Sequence, residues 1–181
     1  YPIDHLNLEE VNEVDDEIEN FILHQNGKDY FQRKKRELNW ILAEPWVLEN
    51  DEKKELHKRY YFSSSDHVFK NYLYKLKDDQ GKLKAFFFFT NRNEVIKLPY
   101  FYAKGLVKDE ITVILHFLQK WNAKVFTSFH PKLVSGLMEQ KTMAFHKKEI
   151  DRNFLIDKQL SKMMTHPNLF IQDGDGDAVF T

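Results

Sequence analysis

His130 has the widest chemical reach of any side chain here. It stands directly before Pro131, at the end of a strand-like stretch, where exposure lets an imidazole titrate near neutrality and take up a proton. The eight histidines are otherwise scattered, with no pair at the His-Glu-x-x-His spacing of a zinc helix. His146, beside Lys147 and Lys148, reads as a surface residue. Ser63-Ser64-Ser65 followed by Asp66 and His67 holds the residue types of a triad. Sequence neighbours do not make a triad, so a polar turn with capping hydroxyls is the simpler reading. Asp173, Asp175 and Asp177 imitate the start of a calcium loop, but Ala178 stands where that loop needs glycine, leaving a flexible acidic turn. The sequence has no P-loop, no Gly-x-Gly-x-x-Gly and no Gly-x-Ser-x-Gly. With no cysteine, a thiol nucleophile, a disulfide and a zinc thiolate site are all excluded.

These residues need a scaffold, and 181 residues suffice for one core. Hydrophobic residues at 42% and charged residues at 30% are globular proportions, and 16 phenylalanines fill space efficiently. A formal net charge of −1 argues against a general nucleic-acid or anionic-membrane surface. The basic run Arg33-Lys34-Lys35-Arg36 reads as a solvated helix face. The longest apolar run, Ala85 to Phe89, falls far short of the roughly 20 residues a membrane helix needs. Tyr1 to Glu10 lacks the basic start and apolar stretch of a signal peptide, and cysteine is absent, so a cytoplasmic setting is expected. Tyr1 is not an initiator methionine, which suggests a piece of a longer protein.

Val11, Val14, Ile18, Phe21 and Ile22 recur at helical spacing, and Gly27 can end that helix. A second helix is expected from about Asp29, a capping residue, to Leu42, with Pro45 forbidding its continuation. The period then changes to that of strands: Tyr72 to Lys77, Leu83 to Thr90 and Val95 to Tyr102. Turns at Asp78-Asp79-Gln80-Gly81 and Asn91-Arg92-Asn93 make them an antiparallel meander. Continuous Phe86 to Phe89 implies a strand covered on both faces rather than a base-stacking platform. Pro99 demands a bulge, bend or gap in the third strand. Ile111, Ile114, Leu115, Leu118 and Trp121 form a helix stripe, Lys124 to Phe129 a fourth strand, and Leu133 to Gln140 a short helix. Ala144 to His146 and Phe154 to Ile156 would close with a hairpin, and the chain from Gly174 reads as weakly structured. The fold class is therefore α/β with a mixed sheet. It is expected as one domain over 1–181: a helical part at 1–47, the sheet with its helices at 59–156, and a tail at 157–181.

Helices, a three-strand meander, a helix, a strand and a short helix, running over Tyr72 to Ile156 with helices before them, resemble the GNAT superfamily of acyl-CoA N-acyltransferases. The aromatic meander and the Asp-Gly-rich ending also look like the second half of bacterial proteins with two tandem GNAT-like modules. The resemblance implies acetyl-CoA as cosubstrate. The strand before the central helix splays from its neighbour at a bulge, and its backbone meets the pantetheine arm. Here that strand is Ile96 to Tyr102, including Tyr100, Phe101 and Tyr102. The following loop wraps the pyrophosphate with amides at a helix N-terminus, which maps to Tyr102, Ala103, Lys104, Gly105, Leu106, Val107 and Lys108.

The match departs from the family in places. Tyr102 stands where Gln or Arg is usual, and Val107 replaces a small residue. Asp109 and Glu110 would repel phosphate, so coenzyme affinity should be weak, in the roughly millimolar range. The family often draws its acid from a tyrosine on the helix after the fourth strand, where this chain offers only Ser135. Tyr100, Tyr102, Ser128 and His130 lie near the implied cleft, with His130 as base and Tyr102 and Ser135 as the further catalytic candidates.

Three functions fit. One is an N-acyltransferase acting on a small-molecule or peptide amine. The second is a non-catalytic GNAT-like module that binds a partner or supports a tandem half. The third is aminoacyl transfer from charged tRNA, which the near-neutral charge argues against.

Overall fold

The structure is a computed structural model that describes residues 1–24, 31, 33–45, 47–49, 64–105, 108–140, 146–148, 150–151, 157–163 and 171–175. In chain order the elements are β1 (Asn7–Val11), α1 (Asp16–Leu23), α2 (Lys35–Ala43), β2 (Val47–Glu49), β3 (Ser64–Asp66), β4 (Phe69–Lys77), β5 (Leu83–Arg92), β6 (Val95–Ala103), α3 (Lys108–Lys120), β7 (Val125–Thr127), α4 (Pro131–Glu139) and α5 (Lys158–Met163), then a 3-10 turn at Asp173–Asp175. A mixed sheet runs β1-β4-β5-β6-β7, and β2 and β3 pair separately. The meander β4-β5-β6 is antiparallel as its turns require, and α3 carries the chain across so that β7 pairs parallel with β6. The Asp78 carboxylate accepts from the Gln80 and Lys82 amides, and Gly81 supplies a positive φ of 75°. The second hairpin turns at Asn93 and Glu94, both with positive φ, so β5 runs on to Arg92, through part of the expected turn.

Side-chain alternation divides the core in two. Ala85, Phe87 and Phe89 face α3, packing with Ile114, Phe117 and Leu118. Phe86 and Phe88 face the other way, onto Ile18, Phe21 and Ile22 of α1 and Leu38 of α2. The phenylalanine run is thus covered on both faces, as its unbroken apolarity implies. Tyr72, Tyr74, Phe89, Phe117 and Trp121 form one aromatic stack under α3, with Tyr74 and Phe117 centroids 4.3 Å apart.

Pro99 has the expected effect. The β5–β6 register slips between Phe88↔Tyr100 and Thr90↔Lys97. Ile96 and Leu98 before the slip, and Phe101 after it, all face α3, whereas Tyr100 and Tyr102 face α1 and α2. Even and odd positions exchange faces across one extra residue, the signature of a bulge. On the other side, β7 pairs with β6 only at Val95, Ile96 and Lys97.

Several expectations are corrected. The N-terminal third is not wholly helical: Val11 ends strand β1, which pairs antiparallel with β4, and α1 begins at Asp16. The misleading signal was Val11's spacing from Val14. Strand β1 lies at a sheet edge where polar side chains are tolerated, and Glu9 and Glu10 reach Lys77 and the Tyr74 hydroxyl. Helix α2 starts at Lys35, and Asp29 lies outside the described residues. Ser64 to Asp66 is strand β3, not a turn, and Asp66 accepts from Arg92 and Asn93. Of the basic run, Lys34 and Arg36 are solvated as expected and Lys35 pairs with Asp16 at the surface, whereas Arg33 pairs with the buried carboxylate of Asp175. Helix α5 lies in the stretch expected to be a tail. In the proposed closing hairpin, 144–145 and 154–156 lie outside the described residues, and His146 is exposed. No helix among the described residues is long and apolar enough to cross a membrane.

Lys75 fastens the first helix to the sheet. It is 3% exposed in β4, and its ammonium meets the carboxylates of Asp15 and Glu17. Asp15 also caps α1 by accepting from the Ile18 amide at 2.9 Å. Burial opposes ionisation of Lys75 and Asp15, but their mutual contact prevails: Lys75 sits above its ordinary range and Asp15 below. Replacing Lys75 by Met should cost about 2 kcal/mol, less than a wholly buried pair because water reaches both carboxylates. Because the folded Asp15 pKa is depressed, its share is present above the ordinary carboxylate range and is lost as pH falls through it. Urea unfolding of both proteins at neutral and acid pH measures this, and the difference should shrink on the acid side.

Candidate functional site

Among the described residues, β6 has no strand partner on the β7 side beyond Lys97. A strand edge with unmet N–H and C=O groups inside a fold must find other partners. Phe101 finds them in one side chain: its N–H donates to Gln172 Oε1 at 3.4 Å, and its C=O accepts from Gln172 Nε2 at 3.1 Å. One primary amide thus stands in for a strand. The same segment closes the far side of the gap, where the Phe129 amide donates to the Asp173 carboxylate at 3.1 Å. Beneath, the Tyr100 hydroxyl donates to the Gly174 carbonyl at 2.9 Å. Asp175 accepts from Arg33 at 3.2 Å.

The expectation of loose structure from Gly174 onwards is therefore wrong for Gly174 and Asp175. Gln172, Asp173 and Gly174 are buried. A Cβ on Gly174 would lie 2.5 Å from the Tyr100 ring, so only glycine fits there. Asp173 and Asp175 bond to protein groups, and no cluster able to hold a metal occurs among the described residues. Asp177 lies outside them.

Tyr100 is fully buried against Phe88, and burial pushes its phenol well above the ordinary range. Tyr102 is 4% exposed and faces α1 and α2, away from Phe101. Ala103 pairs with Ala85, and the Lys104 ammonium lies over the Phe21 ring, 5.1 Å from its centroid. Gly105 has a φ of 77° and its carbonyl accepts from Lys132 at 3.5 Å, so the glycine expected for a loop is conformationally required. Leu106 and Val107 lie outside the described residues, and Lys108 opens α3, exposed. The two acids expected to repel phosphate differ. Asp109 is paired with Lys84, whereas Glu110 is buried, makes no side-chain hydrogen bond among the described residues, and has its pKa raised by that burial.

His130 is brought to the gap, but not in the expected state. It is the N-cap of α4, and its ring meets Phe101 edge-on with centroids 4.9 Å apart. Burial, helped by the nearby Lys132 charge, pushes its pKa down to about 4 instead of leaving it near neutrality. Ser128 lies beside it and accepts from the His130 amide at 3.2 Å. Ser135 is exposed, about 200° around α4 from buried Leu133, and does not join them. The gap therefore collects Phe101, Phe129 and His130, but not Tyr102 or Ser135. Sequence reading missed Gln172 and placed Asp173 in a flexible acidic turn. Their only signal was a polar segment that the β6 edge required as a partner.

A second concavity of about 320 Å³ lies between the end of α3, β7, α4 and residues 146–148. Leu118, Phe126 and Leu137 help line it, with Lys124 and Lys148 among its cations. Lys147 is spent on the carbonyls of Leu137, Met138 and Gln140, capping α4.

No family model matches this chain, and no curated protein or solved structure matches it.

A histidine depressed from 6.5 to about 4 gives stability that is whole above pH 6.5 and is lost as pH falls towards 4, because the unfolded chain takes the proton first. Relative to a His130→Asn variant, the wild-type chain should lose up to about 3 kcal/mol across that window. Urea unfolding at intervals from pH 7.5 to 4.5 tests this, and parallel profiles for the two proteins would contradict it.

Proposed function

We propose that this chain is a GNAT-type N-acyltransferase module that moves an acetyl group from acetyl-CoA to an amine of a small molecule or peptide. The open edge of β6 is then the cradle for the pantetheine arm. The observation that carries this reading is Phe101, whose N–H and C=O both engage a single amide group away from β5. An extended, amide-bearing arm offers the same donor and acceptor. The order of elements supports the reading, as does the bulge at Pro99 beside a strand that parts from its neighbour.

When bound, acetyl-CoA supplies a thioester carbonyl activated towards an amine. The chain would align the arm along Phe101 and meet its phosphates with amides at the start of α3 and with Lys132 beside Gly105. His130 is the imidazole nearest the gap, but with its pKa pushed down to about 4 it is a weak base, so the acceptor amine would have to arrive already neutral.

A non-catalytic module that binds a partner or supports another half of a longer chain is the second reading. What favours it is that Tyr102 faces the α1–α2 core and Ser135 faces solvent, so neither borders the gap.

A ligand at five times its Kd stabilises the folded chain by about 1 kcal/mol, which raises the melting temperature of a chain this size by about 2–4 °C. Roughly 5 mM acetyl-CoA should produce that shift, and Gly105→Pro, incompatible with a φ of 77°, should abolish it. No shift at roughly 10 mM, either in the wild type or in a Gln172→Ala variant that frees the β6 edge, would overturn the reading. A shift retained by folded Gly105→Pro would move the site away from this loop.

A further inference from the structure

The group that completes the β6 edge is not part of the sheet. It arrives from 71 residues further along the chain, the separation of Gln172 from Phe101. Between Gln172 and Asp175 the segment is Gln-Asp-Gly-Asp, without a single apolar side chain. Its bonds among the described residues include the Gln172 amide on Phe101, the Asp173 carboxylate on the Phe129 amide, the Gly174 carbonyl on Tyr100 and the Asp175 carboxylate on Arg33. Leaving the gap would exchange these bonds for bonds to water. Per group such an exchange costs less than the withdrawal of a large apolar side chain from a core, provided that water or a ligand meets the vacated groups. Segments held in this way lie at the weakly held end of a fold's range of local openings.

The segment also blocks the place a ligand would need. Gln172 uses both hydrogen-bonding groups of Phe101, and Asp173 uses the amide directly before His130. An amide-bearing arm and the Gln172 side chain cannot hold Phe101 together.

We propose that Gln172–Asp175 is a removable plug, a competitor built into the chain that must leave the β6 edge before an acyl-thioester arm can lie there. This rests on the reading of the gap as an acyl-CoA cradle. The observed dissociation constant is the intrinsic one divided by the fraction of molecules with the plug released, so weak coenzyme binding follows from plug occupancy as well as from the phosphate loop. Loosening the plug then tightens binding without adding any contact to the ligand.

Two variants loosen it by different means. Gln172→Ala removes both bonds to Phe101, and Gly174→Val drives a side chain into the buried Tyr100 ring. The measurement is calorimetric titration of acetyl-CoA into the wild-type chain and each variant, with circular dichroism and melting curves to establish that each is folded. If one variant does not fold, the other carries the test. The expected result is a dissociation constant at least about tenfold lower in the folded variants than in the wild type. Equal, measurable constants in all folded proteins would overturn the plug while leaving the acyl-CoA site in place. Absence of binding by the folded variants at roughly 10 mM would overturn the acyl-CoA reading, and with it the plug's role as competitor.

Discussion

Pro99 has no amide hydrogen to donate, and it sits in the fourth strand of a five-stranded sheet. The consequences reach well beyond one missing bond. The bulge beside it exchanges the faces of the strand, so that Leu98 and Phe101 share the α3 core while Tyr100 and Tyr102 turn to α1 and α2. Past Lys97, the strand parts from β7, which leaves Phe101 with an N–H and a C=O to satisfy at 1% exposure. Orphaned backbone groups at that depth are costly, so something must take the edge. The candidate site is that edge and what fills it.

The chain meets this demand with a device that it also uses elsewhere. Asn39 of α2 reaches the backbone of Val14, accepting from its N–H at 2.8 Å and donating to its C=O at 2.9 Å. Gln172 does the same for Phe101. A side-chain amide offers one donor and one acceptor, so it can replace one residue of a strand without extending the ladder. The settings differ. Asn39 belongs to a helix packed on the sheet through Leu38, whereas Gln172 belongs to a short polar segment with no apolar side chain between 172 and 175. The first clamp is therefore fixed by a helix packed in the core, whereas the bonds seen for the second among the described residues are polar.

Where hydrophobic periodicity was strong, the sequence was readable. The Phe86–Phe89 run, the α3 stripe from Ile111 to Leu118, the parallel return of β7 and the bulge at Pro99 all followed from local pattern. Strand β1 was obscured because an edge strand can carry Glu9 and Glu10 outward, and Val11 happens to continue a helical spacing. The state of His130 was not legible either, since its depressed pKa comes from burial, to which no local pattern points, and from the Lys132 charge. The Gln172–Asp175 segment was hardest of all. Its residues look like solvent-exposed turn residues, and their burial follows from a vacancy in a strand 71 residues away. Polar residues that satisfy a backbone edge leave no periodic trace.

If a split in β6 filled by Gln172 is the central feature of this structure, the Phe101 amide should report it. Native-state hydrogen exchange on the wild-type chain and on Gln172→Ala compares that amide with those of Phe87 and Phe88 in β5. The account predicts that Phe101 is protected in the wild type and exchanges at least about tenfold faster in the variant, while Phe87 and Phe88 keep their protection. Unchanged protection of Phe101 in Gln172→Ala would contradict it, since some other group would then be holding the edge.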